Sequence, residues 1–328
     1  MTDDFTRLLD LASRAIGGTV AYANDELFAD RQNLIKSEAA VFDPGAFGPK
    51  GKVYDGWETR RRREPGSDHA VVRLGVPGVV RGVVVDTSWF TGNYPPRVSI
   101  EAACVDGHPT PDELRAAEWV TLVAEAAAEG DTRNTYTVSN DERWTHVRLT
   151  IHPDGGVARF RVHGEPRPDP RMFEGTVDLA ALELGGMVVD CSDAFYGSAS
   201  NILRPDRARH MGEGWENARR RGDGNDYVTV CLAARGVVRR AEIDTSYFVG
   251  NAPGWASLSG RDGDGSWFEL LGRTPLQPDT VHRFWLDDAA PATHVRLDVY
   301  PDGGLARLRL IGRVVAGEGA GTDRDIRW

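Results

Sequence analysis

Apolar and polar residues alternate along much of this chain with a period of two, the spacing of a strand with one buried face. The clearest case is Thr145 to Gly164, where Val147, Leu149 and Ile151 and then Ala158, Phe160 and Val162 form an apolar set. His146, Arg148, His152, Arg159, Arg161 and His163 fall on the other side. Between the two runs stands His152-Pro153-Asp154-Gly155-Gly156. Pro presets φ, Asp can bond its own backbone and Gly takes the left-handed position, so the segment reads as a β-hairpin. Upstream, Val71, Val72 and Leu74, then Val79, Val80 and Val83 to Val85, read as short strands broken by Gly75, Pro77 and Gly78. Within Pro111 to Gly130, the residues Asp112, Glu113, Ala116, Ala117 and Ala124 to Ala128 predict a helix or a long surface excursion. Many short strands without strand-helix alternation predict an all-β fold, an antiparallel sandwich or jelly roll.

The pattern occurs twice. Gly56 to Pro95 aligns without a gap on Gly214 to Pro253, and about half of the paired residues are identical. Thr145 to Gly164 aligns on Thr293 to Gly312 with 13 of 20 pairs identical, at an offset shorter by 10 residues. The second copy therefore lacks ten residues in its middle, and the Pro111 to Gly130 region is where they are expected. A weaker match joins Asp25, Phe28, Asn33 and Leu34 to Asp193, Tyr196, Asn201 and Ile202. Each copy spans about 150 residues, the size of a domain and too long for a solenoid unit. The expected division is residues 1–175 and 176–328.

Composition narrows the function classes. With 41% hydrophobic and 27% charged residues, the chain has enough apolar side chains for two ordinary cores. A net charge of -10 argues against nucleic acid as a partner. No apolar run reaches the roughly 20 residues of a membrane helix. Met1 to Leu11 carries three Asp and no basic n-region, so a cytoplasmic location is expected. Cys104, Cys191 and Cys231, odd in number and widely spaced, fit reduced thiols better than a disulfide frame or a zinc site.

Three clusters carry candidate chemistry. The first is the His and Arg face of the predicted hairpin, which could hold a carboxylate through bidentate guanidinium or form an outer sheet surface. The second is Asp86-Thr87-Ser88-Trp89-Phe90-Thr91-Gly92-Asn93-Tyr94-Pro95, repeated as Asp244 to Pro253. Its carboxylate, two hydroxyls and amide suit a polar ligand, and they suit equally a loop tied by local backbone bonds. The third is Gly56-Trp57-Glu58-Thr59-Arg60-Arg61-Arg62-Arg63. There Trp57 reads as core or pocket wall, and arginines beside Glu58 favour its ionised form. Zinc-site spacings such as His-Glu-x-x-His are missing from the sequence. No tightly bound cofactor is expected, and a divalent metal stays open.

Asn24 to Phe28, Gly56 to Arg61, Asp86 to Pro96, Gly212 to Arg220 and both Pro-Asp-Gly-Gly turns resemble the repeat motifs of the allantoicase family. The resemblance runs from about residue 15 to 315, with long motifs in order and twice over. It implies two tandem jelly-roll domains of the galactose-binding-like type. It also implies hydrolysis of allantoate to (S)-ureidoglycolate and urea in purine degradation, by a homo-oligomer such as a trimer or hexamer.

Allantoate carries one carboxylate and two ureido groups. A site for it should offer Arg61, Arg148 or Arg159 to the carboxylate and Asp86, Thr87, Ser88 and Asn93 to the ureido groups, with Glu26 and Trp57 nearby. Asp86 or Glu58 is then the expected base and His146 a candidate acid, with Glu216, Asp244 and Asn251 as second-copy equivalents. Between the copies, Glu26 becomes Ala194, Thr59 and Arg60 become Asn217 and Ala218, His152 becomes Tyr300 and His163 becomes Ile311. The first copy is richer in ionisable groups and is the expected main catalytic contributor. The competing class is a non-catalytic carbohydrate- or small-molecule-binding jelly roll, since fold does not decide function.

Overall fold

The computed structural model describes residues 5–287 and 289–315. The ends of the two expected halves, residues 1–4 and 316–328, lie outside the described residues. The chain divides into two compact units, Met1–Arg167 and Pro168–Trp328. Each is a β-sandwich of the jelly-roll type, and most of the regular structure is strand.

The first unit is built on one long strand. Its main strands are β1 (Thr19–Ala23), β2 (Asp68–Asp86), β3 (Arg97–Ala103), β4 (Val120–Ala127), β5 (Arg133–Thr137), β6 (Arg143–His152) and β7 (Arg159–Pro166). The first part of β2 pairs with β1 and β6, β6 with β3, and β3 with β4. The last part of β2 pairs instead with β5 and β7, and β7 with Leu9–Asp10. All of these pairings are antiparallel, so β2 belongs to both layers of the sandwich.

Two sequence expectations fail here for one reason. Gly75, Pro77 and Gly78 do not break the valine runs, which lie in a single strand of 19 residues. The glycines mark where β2 passes from one sheet to the other against neighbouring backbone. A Cβ on Gly75 would sit 2.5 Å from the Ile16 carbonyl oxygen, and one on Gly78 2.4 Å from that of Glu165. Nor is Thr145 to Gly164 a hairpin. β6 and β7 pair with opposite ends of β2, Ile151 opposite Asp68 and Arg159 opposite Asp86. The Pro-Asp-Gly-Gly turn thus carries the chain between sheets. Gly155 is left-handed at φ 143, as the turn reading requires, but the Asp154 carboxylate accepts from the Arg62 backbone N–H at 2.7 Å and not from its own turn.

The alternation itself holds: Val147, Leu149, Ile151, Ala158, Phe160 and Val162 are all buried. The other side of these strands is not uniformly open, because His146, Arg159 and His163 are buried as well. The helix in the Pro111 to Gly130 region is short, α1 (Pro111–Ala116), started by a Thr110 and Glu113 capping box. Ala124 to Ala127 belong to β4, where pairing with β3 overrides alanine's helix preference.

The second unit repeats the plan with β8 (Met187–Cys191), β9 (Asp226–Asp244), β10 (Trp255–Arg261), β11 (Phe268–Pro275), β12 (Val281–Trp285), β13 (Ala292–Tyr300) and β14 (Arg307–Val314). β9 again serves both sheets, pairing with β8 and β13 in one and β12 and β14 in the other. The ten residues missing from this copy are the α1 excursion. In the first unit Ala103 is followed by a strand at Val120, whereas in the second Arg261 is followed by one at Phe268. A further excursion of the first unit lies between Ile35 and Trp57 and carries a small hairpin, Phe47–Gly48 with Gly51–Lys52.

Candidate active site

The two-residue strand Trp57–Glu58 pairs with Gly156–Val157, which directly follows the Pro-Asp-Gly-Gly turn. Trp57 is fully buried, and its Nε1 donates to the Asp25 carbonyl at 2.7 Å, so it anchors this strand. Asp25 in turn accepts from the backbone N–H groups of Leu27 and Arg60 and pairs with the Arg60 guanidinium. Burial alone would raise the Asp25 carboxyl, but these bonds outweigh it and hold it below the usual carboxylate range.

Glu58 is fixed on both sides by backbone. Its N–H donates to the Ala29 carbonyl, and its own carbonyl accepts from Phe28 and Ala29. The half-buried side chain accepts from Asn93 Nδ2 at 2.6 Å through Oε1. Burial pushes the Glu58 carboxyl above its ordinary value, and the Asn93 bond opposes that rise. Asn93 is held by its own carbonyl, which accepts from Gly156 N–H at 2.7 Å. The turn, the strand and the loop after β2 therefore converge on one carboxyl and one amide.

The second unit has the same convergence. Asn251 Nδ2 donates to Glu216 Oε1 at 2.6 Å, Trp215 Nε1 to the Asp193 carbonyl at 2.7 Å, and Gly304 N–H to the Asn251 carbonyl at 2.8 Å. A few residues along the chain from each Glu come exposed arginines, Arg61 and Arg63 in one unit and Arg219 and Arg221 in the other, without a recorded partner among the described residues. In the first unit the arginine run lines a pocket of about 520 Å³ with Asn24, Asp25 and Asp68. In the second, Arg219 and Arg221 line one of about 390 Å³ with Glu216, Asn217, Asn251 and Asp302.

The other expected site residues are placed elsewhere. Asp86 Oδ1 accepts from the N–H and hydroxyl of Ser88 at 2.9 and 2.6 Å, and the buried Thr87 hydroxyl bonds the carbonyls of Glu129 and Thr132. Asp244 does likewise with the Ser246 N–H at 2.8 Å. The Asp–Ser bonds are those of a locally tied loop, and Thr87 fastens the loop to a distant segment. Arg148 is paired with Glu101 and lies over Trp119. Glu26 is exposed and paired with Arg31.

Arg159 spends all five donors inside the protein. They reach the carbonyls of Glu38, Ala39, Asp55 and Ala158 and the Asp55 carboxylate. His146 is 1% exposed, beside Arg73, and burial followed by that charge lowers it to about 4. Burial thus favours the uncharged ring, which has no imidazolium proton to give at neutral pH. Of the expected set, the structure brings Glu58 and Asn93 together, with Trp57 and Arg61 on the same segment. Asp25, Asp154 and Asn217 were missed, although the shared motifs contain all three positions. Among the described residues no three His, Cys, Asp or Glu side chains gather as a metal site.

A sequence model of the allantoicase repeat matches residues 9–167 and again 177–315. This chain belongs to the allantoicase family. It is 59% identical over 314 residues to a probable allantoicase of Nocardia farcinica, covering 94% of this chain and 95% of that one. A probable allantoicase of Streptomyces avermitilis is 51% identical over 331 residues, covering 96% and 88%. The crystal structure of allantoicase from Saccharomyces cerevisiae superposes with a TM-score of 0.81 at 34% identity, over 93% of this chain and 92% of that one. The family assignment favours the enzymatic reading over the binding module. Among the described residues no helix is long and apolar enough to cross a membrane.

Proposed function

We propose that this allantoicase-family hydrolase converts allantoate and water to (S)-ureidoglycolate and urea at the Glu58–Asn93 motif. The observation that carries the reading is a desolvated carboxyl held by an amide, on a segment that continues into arginines without a recorded partner among the described residues. The substrate carboxylate pairs with Arg61 and Arg63. A ureido group meets the free acceptor sites of Glu58. In the reaction the bond from the central carbon to one ureido nitrogen breaks, water oxygen bonds to that carbon, and one proton passes from water to the departing urea. Glu58 carries that proton. Its raised pKa leaves a larger protonated fraction near neutral pH than an ordinary Glu has, which suits a group that both gives and takes a proton.

Replacing the carboxylate in both copies, Glu58→Gln with Glu216→Gln, is expected to lower urea release by roughly 10² to 10⁴. Activity within a few-fold of the parent in a folded double variant would remove the carboxyls from the chemistry. The same reading carries a cytoplasmic location and a homo-oligomer, trimer or hexamer. Exposed Trp285, Phe195 and Val249 supply apolar surface for self-association.

A further inference from the structure

We propose that the second unit holds a complete and independent ligand site of its own, specific for a carboxylate bearing a ureido group, with Asn217 as its distinguishing donor. The proposal rests on the Glu–Asn reading above and extends it from one Glu–Asn pair to two.

Asn217 is 5% exposed, and its Oδ1 accepts from the Gly303 N–H at 2.8 Å. Its Nδ2 has no hydrogen-bond partner among the described residues. A buried amide donor left unpaired costs free energy, so such groups ordinarily find a partner. Asn217 lines the pocket that also contains Glu216, Asn251, Arg219 and Arg221. Together these groups offer a donor for a ureido oxygen, a carboxylate for ureido N–H groups and two guanidinium groups for a carboxylate. A ligand with only a carboxylate leaves Glu216 and the Asn217 amide unused. One with only a urea group leaves the arginines unused.

The first unit has Thr59 in this place. Its hydroxyl accepts from the Gly155 N–H at 3.2 Å and lies 3.4 Å from the Gly155 carbonyl, so it is consumed by its own turn. Asn217 reproduces the first of those bonds through Oδ1 and adds a donor that Thr59 does not have. The two Glu–Asn sites are therefore predicted to take the same class of ligand with different affinity.

Urea release by the full chain tests this. Glu58→Gln should retain roughly half of the parental kcat, carried by the second unit. Adding Asn217→Thr, which keeps an acceptor for Gly303, should then raise KM about 5- to 10-fold with little change in kcat. Complete loss of activity in Glu58→Gln at a melting temperature no lower than the parent's would overturn the proposal, and so would an unchanged KM on adding Asn217→Thr. Should Glu58→Gln fail to fold, Glu216→Gln alone decides: loss of roughly half of kcat supports the second site, and full activity overturns it. Allantoate titrated calorimetrically into the Glu58→Gln, Glu216→Gln double variant should bind two per chain, and one per chain overturns the proposal. Urea release that survives in that double variant overturns the Glu–Asn reading itself, and this proposal with it.

Discussion

The first unit differs from the second in two excursions and agrees with it in one short framework. The excursions are α1 with its flanks and the segment between Ile35 and Trp57. The framework is the Trp-Glu strand, the Gly-Asn loop and the Pro-Asp-Gly-Gly turn, with the Glu–Asn bond at 2.6 Å in both units. The ionisable residues that only the first unit has do not join this framework. Glu26 pairs with Arg31 and Arg60 with Asp25. His152 lies between the hydroxyls of Ser67 and Ser99, and His163 bonds the Leu8 carbonyl. Extra charge in one copy of a duplication is thus no guide to where its chemistry lies. Beside the Glu–Asn pair the two units differ at Thr59 against Asn217, and Arg60, which lines the first pocket, is Ala218 in the second.

The buried arginines offer the largest test of what the units share. Arg159 fastens the Glu38 to Asp55 excursion to β7, and Arg307 fastens the shorter Asp206 to Glu213 segment through the carbonyls of Asp206, Glu213 and Ala306 and the Asp206 carboxylate. Burial would raise the Asp55 carboxyl, but hydrogen bonds from Arg159 and Lys36 outweigh it and keep it below the usual range. Arg159→Met leaves several buried carbonyls and a carboxylate without their donor, at a cost of about 3–5 kcal/mol. Arg307→Met should cost a similar amount. Denaturant unfolding measures both losses, and limited proteolysis separates them: only Arg159→Met should expose the Ile35 to Trp57 excursion. Equal protection of that segment in both variants would show that Arg159 does not hold it.

A pH titration probes a residue on the other side of the comparison. His146 is nearly inaccessible, whereas His294 at the same place in the second unit is partly exposed. The folded His146 titrates at about 4, below its unfolded value near 6.5. The fold therefore binds the neutral ring, and its stability falls as pH drops through 6.5 and levels off near 4. The full effect is about 3 kcal/mol. His146→Gln should lessen the acid destabilisation by that amount and leave urea release at neutral pH unchanged. A large loss of kcat at neutral pH would return His146 to the site.

Much of this architecture is legible in the residues, and the failures share a cause. The duplication and the period-two alternation located both units and their inner faces, because both are local patterns. Turn signals alone break the 19-residue β2 into fragments and make the β6 to β7 turn a hairpin. Glycine, proline and turn signals report local backbone and not which strand lies opposite. For the same reason alternation placed Arg159 on an outer side and could not show the Glu38 to Asp55 segment folded over it. Glu58 and Asn93 were both named by their motifs. Their contact across 35 positions depends on how Gly155 and Gly156 pack against the loop. A Cβ on Gly155 would meet the Asn93 carbonyl oxygen at 2.8 Å, and one on Gly156 the Phe90 ring at 2.0 Å.

The smallest effect expected concerns what the site carboxyl does to the fold. Burial raises the folded pKa of Glu58 above its unfolded value. The protonated form is thus the one the fold prefers, and stability from this group is present at low pH and lost as pH rises through the folded value. Glu58→Gln keeps an acceptor for Asn93 and removes the titration. At neutral pH the variant should therefore be slightly more stable than the parent, by less than about 1 kcal/mol, while losing activity in its own unit. Melting temperatures measured from neutral to acidic pH should show this margin shrinking as the parental Glu58 becomes protonated. Glu216→Gln run alongside shows whether the second pocket strains its carboxyl in the same way. A margin that grows toward acid would mean that Glu58 is favoured as a carboxylate in the folded unit, and a proton carrier would then have to be sought elsewhere in the pocket.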